Sequence, residues 1–226
     1  MLNYLLQTSR PEIGMAVHQC ARYNNNPMLS HEKAVKRIVK YLKKNPEKGI
    51  IYKVDKSRGL ECYVDADFAG NWEQADSENA ENVLSRTGYV LMYAGCPLVW
   101  SSKLQTEIAL STAEAEYIAL SSSLREVIPA MHLMKELNDV FPVNLIKPGF
   151  CLVHEDNQSC IAMTNSKKTT PQTKHIALKY HHFRQYVNKG LIKVEYVDTT
   201  GQLADIFTKP LPDQDFLRLR KALCGW

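Results

Sequence analysis

The sequence predicts an α/β protein in which helices pack against a mixed sheet. Three observations predict it. Between residues 59 and 103 the runs GLECYVDADF, TGYVLMYAG and PLVWSSK are short, rich in strand-forming residues and bounded by turn signals. Two later strand-like runs, FCLVHE at 150–155 and LIKVEYV at 191–197, are each preceded by a stretch with helical periodicity. Apolar residues make up 45% of the 226 positions and charged residues 23%, which suits a chain with a buried core and excludes collagen-like, mucin-like or disordered readings.

The first 50 residues read as helices. After Pro27, Ser30 is placed to cap a helix through HEKAVKRIVKYLKKN, with Val35, Ile38, Val39 and Leu42 on one side. Lys33, Lys36, Arg37, Lys40, Lys43 and Lys44 fill the remainder, and Asn45, Pro46 and Gly49 end it. Strand texture begins at GIIYKVD near residue 50, and Ala94-Gly95-Cys96 joins two of the following runs at hairpin length, so three or four antiparallel strands are expected. A long helix follows from Thr112 towards Asn138, with Pro129 as a point of interruption, before the strand FCLVHE. A helix from Asn157 to Asn165, a Lys/Thr/Pro loop, a basic helix from Thr173 to Asn188, the strand LIKVEYV and a last helix from Gln202 complete the order.

No run approaches 18 apolar residues, and MLNYLLQTSRPEIG lacks the features of a signal peptide, so a soluble intracellular protein is expected. The six cysteines, Cys20, Cys62, Cys96, Cys151, Cys160 and Cys224, form no C-x-x-C pair, which argues against a zinc ribbon and for reduced, buried thiols.

The net charge of +4 conceals strong segregation. Residues 31–58 hold ten Lys/Arg against Glu32, Glu47 and Asp55; residues 60–85 hold seven acids and no Lys or Arg; residues 166–194 hold seven Lys/Arg, three His and no acid. Basic segments flanking an acidic one suit a polyanion held beside carboxylates that need cations, although each run alone also fits a solvated face.

Asp65 and Asp67 occupy alternate positions of a strand whose other side reads Leu60, Cys62, Val64, so both carboxylates share a face. Ser111-Thr112-Ala113-Glu114 has the spacing of a capping box, which assigns Glu114 to the helix end. Glu116, about 200° further around the axis, is freer to face the sheet. Asp156 ends a strand and begins a helix; Asp205 lies in the first turns of the last helix, among Leu203, Ala204, Ile206 and Phe207. Asp67 is either a helper of the site or an exposed strand-end acid. His175, His181 and His182 fit a solvated or packed basic helix or phosphate contacts better than a zinc site, because adjacent helical positions diverge by about 100°.

The segments YVDADFAG, SRTGYVLMYAGCPLVWSSKLQTEIALSTAEAEYIAL, VHEDNQSCIAM, TKHIALKYHHF and QLADIFTKPL together resemble the ribonuclease H domain of copia-type LTR retrotransposon polyproteins. TSRPEIGMAVHQCARYNNNPMLSHEKAVKRIVKYLK resembles the C-terminal end of their reverse transcriptase part. The resemblance implies a ribonuclease H-like fold: a mixed five-stranded sheet with helices on both faces, preceded by a short helical segment. Residues 1–50 would then be the helical, thumb- or connection-like end of the reverse transcriptase region and residues 51–226 the ribonuclease H domain. The polymerase's own catalytic aspartates are expected upstream of residue 1. Four metal-binding, catalytic carboxylates carry over to Asp65 in YVD, Glu116 in AEYIAL, Asp156 in EDNQ and Asp205 before IFTK, the same acids the pattern singles out.

The implied activity is a metal-dependent endonuclease that hydrolyses the RNA strand of RNA/DNA hybrids during reverse transcription. Two Mg²⁺ or Mn²⁺ ions per site are expected, since all-oxygen ligands suit hard cations and two ions about 3.5 to 4 Å apart activate water and stabilise the leaving oxygen. Lys103, Lys167, Lys168, Lys174 and Arg184 are the expected nucleic-acid contacts, with the basic helix at 31–44 as a further grip. The implied partners are the hybrid and the upstream reverse transcriptase region, with no membrane; the implied location is cytoplasmic, within virus-like particles. A catalytically silent module that positions the hybrid for the polymerase is the competing reading. A resolvase or integrase of the same fold lacks the WSSK, STAEAEY and ADIFTKPL context. One departure stands out: Asp198-Thr199-Thr200-Gly201 occupies the loop where many ribonucleases H carry a histidine.

Overall fold

The computed structural model describes residues 1–70, 80–141, 149–166 and 182–226. At its centre five strands, β1 (Leu60–Asp67), β2 (Arg86–Tyr93), β3 (Cys96–Leu104), β4 (Cys151–Glu155) and β5 (Ile192–Tyr196), form one sheet in the order β3-β2-β1-β4-β5. β1, β2 and β3 run antiparallel, while β4 pairs parallel with both β1 and β5. The β2–β3 turn is tight because Ala94 and Gly95 both take positive φ, 51° and 76°, the twist that two-residue hairpin loops need.

Alternation along β1 divides the molecule. Leu60, Cys62, Val64 and Ala66 enter the main core with Tyr117, Leu120, Leu124 and Val127 of α4 (Thr112–Val140), Cys160 of α5 (Gln158–Asn165) and Phe183, which precedes α6 (Arg184–Asn188). Val90 and Met92 of β2 face the other way, against Ile206 and Phe207 of α7 (Asp205–Thr208) and Leu219 and Leu223 of α8 (Asp213–Cys224). The sheet is thus covered on both faces, and each large apolar side chain fully buried there contributes about 1.5 to 3 kcal/mol.

Three helices, α1 (Leu2–Thr8), α2 (Gly14–Ala21) and α3 (Leu29–Lys44), share a small core of Ile13, Val17 and Ile38. They dock onto the β2–β3 side. Trp100 Nε1 donates to the Leu6 carbonyl at 2.6 Å, and Arg86, 1% exposed, donates to His18 Nδ1 at 3.0 Å. The chain end closes over the same segment, with Trp226 Nε1 on the Gly49 carbonyl at 2.7 Å. All six cysteines are free, and all but Cys20 are buried.

Several local expectations change. GIIYKVD forms no strand: its backbone makes isolated bonds, Ile51 N to Cys224 O and Asp55 N to Ala94 O, while Ile51, Tyr52 and Val54 stay exposed. Without a continuous partner edge, β-forming residues do not make a ladder, and the antiparallel strands number three. α3 begins before Ser30, with Met28 as its cap residue, because His31 Nδ1 accepts from Met28 N at 2.9 Å. α4 continues through Pro129 for another eleven residues, its packed N-terminal half outweighing one lost backbone bond. The expected last helix is instead two, α7 and α8, because Pro210 and Pro212 lack the N–H that a continuous helix requires. Of the expected basic helix, the part from Thr173 to His181 lies outside the described residues, and α6 covers its end.

Candidate metal centre

Parallel pairing of β1 with β4 sets the site. Tyr63 pairs with His154, so two residues further along each strand Asp65 and Asp156 reach the same level at the strands' C-terminal ends. Asn157 starts α5 directly behind, its side chain accepting from Cys160 N at 3.0 Å, which fixes the strand-to-helix turn that holds Asp156. α4 adds the third acid. Ser111 Oγ accepts from Glu114 N at 3.2 Å, as the capping spacing requires, and the Glu114 carboxylate accepts from Leu110 N at 2.8 Å. Glu114 is thereby committed to the helix end, and Glu116, 6% exposed, turns to the sheet and takes a hydrogen bond from the Ala66 backbone.

The ligand oxygens of Asp65, Glu116 and Asp156 all lie within 4.8 Å of one another, the only such group of metal-ligating side chains among the described residues. Asp205 and Asp67 lie outside that group. Asp205 is buried at the start of α7, its Oδ1 2.8 Å from Lys209 Nζ, and Lys209 Nζ also stands 3.9 Å from Asp65 Oδ2. Thr208 Oγ1 donates to Asp65 Oδ2, and Thr199 Oγ1, in the loop without a histidine, donates to Asp156 Oδ2 at 3.2 Å.

Crowding these acids perturbs them. Burial first, then Asp205 and Asp156, push the Asp65 carboxyl up to about 7 against the pull of Lys209. Burial, then Glu155, Asp65 and Asp156, push Glu116 higher, to about 11. Asp205 is raised by burial against Lys209, and Asp67 by burial against Lys209 and Arg86. Burial alone would lower the Lys209 ammonium, but Asp65, Asp205 and Asp156 leave it raised. A divalent cation relieves this repulsion, and Glu116 Oε2, buried with no hydrogen-bond partner among the described residues, is an oxygen left for one. An all-carboxylate donor set fits Mg²⁺ or Mn²⁺ rather than zinc.

Two contributors escape the sequence pattern. Glu155, fully buried beside Asp156, is raised to about 8 by burial, and one of its oxygens accepts from Asn157 N at 3.1 Å. Gln202, also fully buried, donates from Nε2 to the carbonyls of Val64 at 2.8 Å and His154 at 3.4 Å, while its Oε1 accepts from Ala204 N at 3.2 Å. It ties both site strands to the turn leading into Asp205. Its signal was present as the polar residue opening the apolar QLADIF.

Among the expected nucleic-acid contacts, Lys103 is exposed on β3, opposite Thr87 of β2. Arg184 is half-buried and donates to Tyr117 Oη at 3.2 Å and the Met163 carbonyl at 3.3 Å. Lys167, Lys168 and Lys174, with His175 and His181, lie outside the described residues. No helix among the described residues is long and apolar enough to cross a membrane.

No family model matches the chain. The retrovirus-related Pol polyprotein from transposon RE1 of Arabidopsis thaliana is 33% identical over 210 residues, which is 93% of this chain and 13% of the polyprotein. That from transposon TNT 1-94 of Nicotiana tabacum is 34% identical over 224 residues, 99% of this chain and 16% of the polyprotein. The chain therefore spans only a small part of these relatives. A secreted RxLR effector protein of Plasmopara viticola is 32% identical over 125 residues, 55% of this chain and 82% of the effector. Among solved structures, an N-terminal ribonuclease H domain from Mycobacterium tuberculosis covers 73% of this chain and 98% of its own, at 14% identity and a TM-score of 0.44. The mixed five-stranded sheet with helices on both faces is the architecture that the resemblance implies. Across nearly its whole length, the chain is homologous to one segment of the retrovirus-related Pol polyproteins of copia-type transposons.

Proposed function

We propose that the chain is the metal-dependent ribonuclease H of such a polyprotein, hydrolysing the RNA strand of RNA/DNA hybrids during reverse transcription. One observation carries the reading: Asp65, Glu116 and Asp156, from three separate elements, converge within 4.8 Å with an unpartnered buried oxygen among them. Bound there, two Mg²⁺ or Mn²⁺ ions would supply an activated water and a stabilised leaving oxygen. Asp65, Glu116 and Asp156 would hold the cations, with Asp205 at the edge of the set. Thr208 and Thr199 orient the Asp65 and Asp156 carboxylates, and Gln202 keeps the two strand ends together.

Lys103, with Lys167, Lys168, Lys174 and Arg184, would meet backbone phosphates, which position a duplex without reading its sequence. Choice of the RNA strand then rests on its 2′-hydroxyls and the groove shape of the hybrid. Residues 1–50 would be the end of the reverse transcriptase region, residues 51–226 the nuclease domain, and virus-like particles in the cytoplasm the place of action.

A labelled RNA/DNA hybrid incubated with Mg²⁺, Mn²⁺ or EDTA tests this, beside Asp65→Asn and Asp156→Asn. The RNA strand should be cut only with an ion and by neither variant, although both stay folded; cleavage in EDTA or by either variant would overturn the assignment. The pairing of Asp205 with Lys209 favours a second reading, a silent module that holds the hybrid for the polymerase. That reading predicts a hybrid bound tightly and left intact under every ion condition.

A further inference from the structure

We propose that the Lys209 ammonium is a resident cation of the Asp65–Asp205 side of the centre, so that the chain alone takes up one divalent ion at Asp65, Glu116 and Asp156. This rests on reading the three acids as a metal site. The asymmetry is geometric. Asp65, Glu116 and Asp156 share one space within 4.8 Å, whereas Asp205 is turned to Lys209 Nζ at 2.8 Å. The same nitrogen stands 3.9 Å from Asp65 Oδ2, so it faces both aspartates at once.

Lys209 is held there by the chain. It caps α7 in extended conformation, four residues from Asp205, and Pro210 follows directly, restricting its backbone. Its side chain is 35% exposed, so the flexible stem can still swing out to water.

Charge points the same way. Ligation requires the acids deprotonated; with all four ionised they carry −4, so Lys209 and one divalent ion leave −1, whereas Lys209 and two divalent ions leave +1 in a largely buried space. A second ion therefore has to displace the ammonium or arrive with the negative charge of a phosphate. Lys209 is on this account a positioning residue that sets ion number.

Calorimetric titration of Mn²⁺ into the chelator-stripped full chain, without nucleic acid, tests the proposal in the parent, Lys209→Gln and Lys209→Arg. One ion is expected for the parent and for Lys209→Arg, and two for Lys209→Gln, the second bound at least about tenfold tighter than any second ion in the parent, because a like charge a few ångströms away is gone. In EDTA, Lys209→Gln should melt below Lys209→Arg and recover with Mn²⁺. A parent that takes up two ions with similar affinity overturns the proposal without any variant, as does a count of one in folded Lys209→Gln. A parent that binds no ion, while folded, defeats the metal site itself and the role of Lys209 with it.

Discussion

Gly88→Ala offers a test of how the site is held that leaves every candidate ligand unsubstituted. Gly88 pairs with Asp65 across β1 and β2 and with Ser102 across β2 and β3. A Cβ added there would stand 2.5 Å from Thr208 Cγ2, 2.8 Å from Phe207 Cβ and 3.1 Å from the Ala204 carbonyl. Carbon–carbon contact needs about 3.5 Å, so α7 would have to retreat by about 1 Å. That retreat strains the bond from Ser102 Oγ to the Phe207 carbonyl, now 2.6 Å, and the one from Thr208 to Asp65. Overpacking of this kind costs about 1 to 3 kcal/mol, and at about 2 to 4 °C per kcal/mol for a chain this long the melting temperature should fall by roughly 2 to 12 °C. Asp205 moves with α7, and a 1 Å displacement at a reacting centre costs on the order of 10²-fold in rate. Differential scanning fluorimetry and hybrid cleavage at saturating Mn²⁺ read the two effects. Gly149→Ala is the control, since nothing lies within 4 Å of its added Cβ. If Gly88→Ala melts and cleaves like Gly149→Ala, α7 is not seated by the missing side chain and the packing account of the site is wrong.

Glu114→Gln should cost less than about 1 kcal/mol and spare cleavage, because Gln also serves at that capping position, while Glu116→Gln should abolish most cleavage and weaken Mn²⁺ binding by calorimetry; reversed effects would place the wrong face of α4 against the sheet. Gln202→Ala leaves the Val64 carbonyl and Ala204 N–H without their buried partner, and urea denaturation should register a loss of about 2 to 4 kcal/mol. His18 is lowered to about 4 by burial, then Arg86, Arg22 and Lys103. The unfolded chain takes its proton first, so this contribution is complete above pH 6.5 and is lost as pH falls towards 4. With the ring half exposed, solvent screening reduces it to about 1 to 2 kcal/mol; His18→Gln should be less acid-sensitive than the parent by that amount in denaturation at pH 7 and 4.5, and equal slopes would refute the contact.

What could be read from the sequence was what local chemistry decides. Two-residue alternation placed Asp65 on the face of β1 opposite Leu60, Cys62 and Val64, the Ser111–Glu114 spacing separated Glu114 from Glu116, and the helix expected from Asn157 begins one residue later with Asn157 as its cap. Contacts between distant segments left no such trace. Residues 50–56 have strand-forming side chains but no edge to pair with, and Gln202 and Lys209 acquire their roles only when β1, β4 and α7 meet. Arg86 shows the same gap: this cation at the start of β2 is buried because residues 1–50 fold back and accept its donors at His18 and Gln19.

The parallel seam between β1 and β4 carries a consequence for how the molecule matures. Asp65 and Asp156 become neighbours only after α4 has crossed between the two strands, and Asp205, 140 positions beyond Asp65, joins last along the chain. No fragment ending before residue 156 contains the three-acid group, and such long-range closure is slow relative to helix or hairpin formation. An ion that binds only the closed arrangement adds its binding free energy to the native state alone. Ion uptake is therefore a reporter of completed topology: in refolding it should lag the gain of helix and coincide with the final, slowest phase.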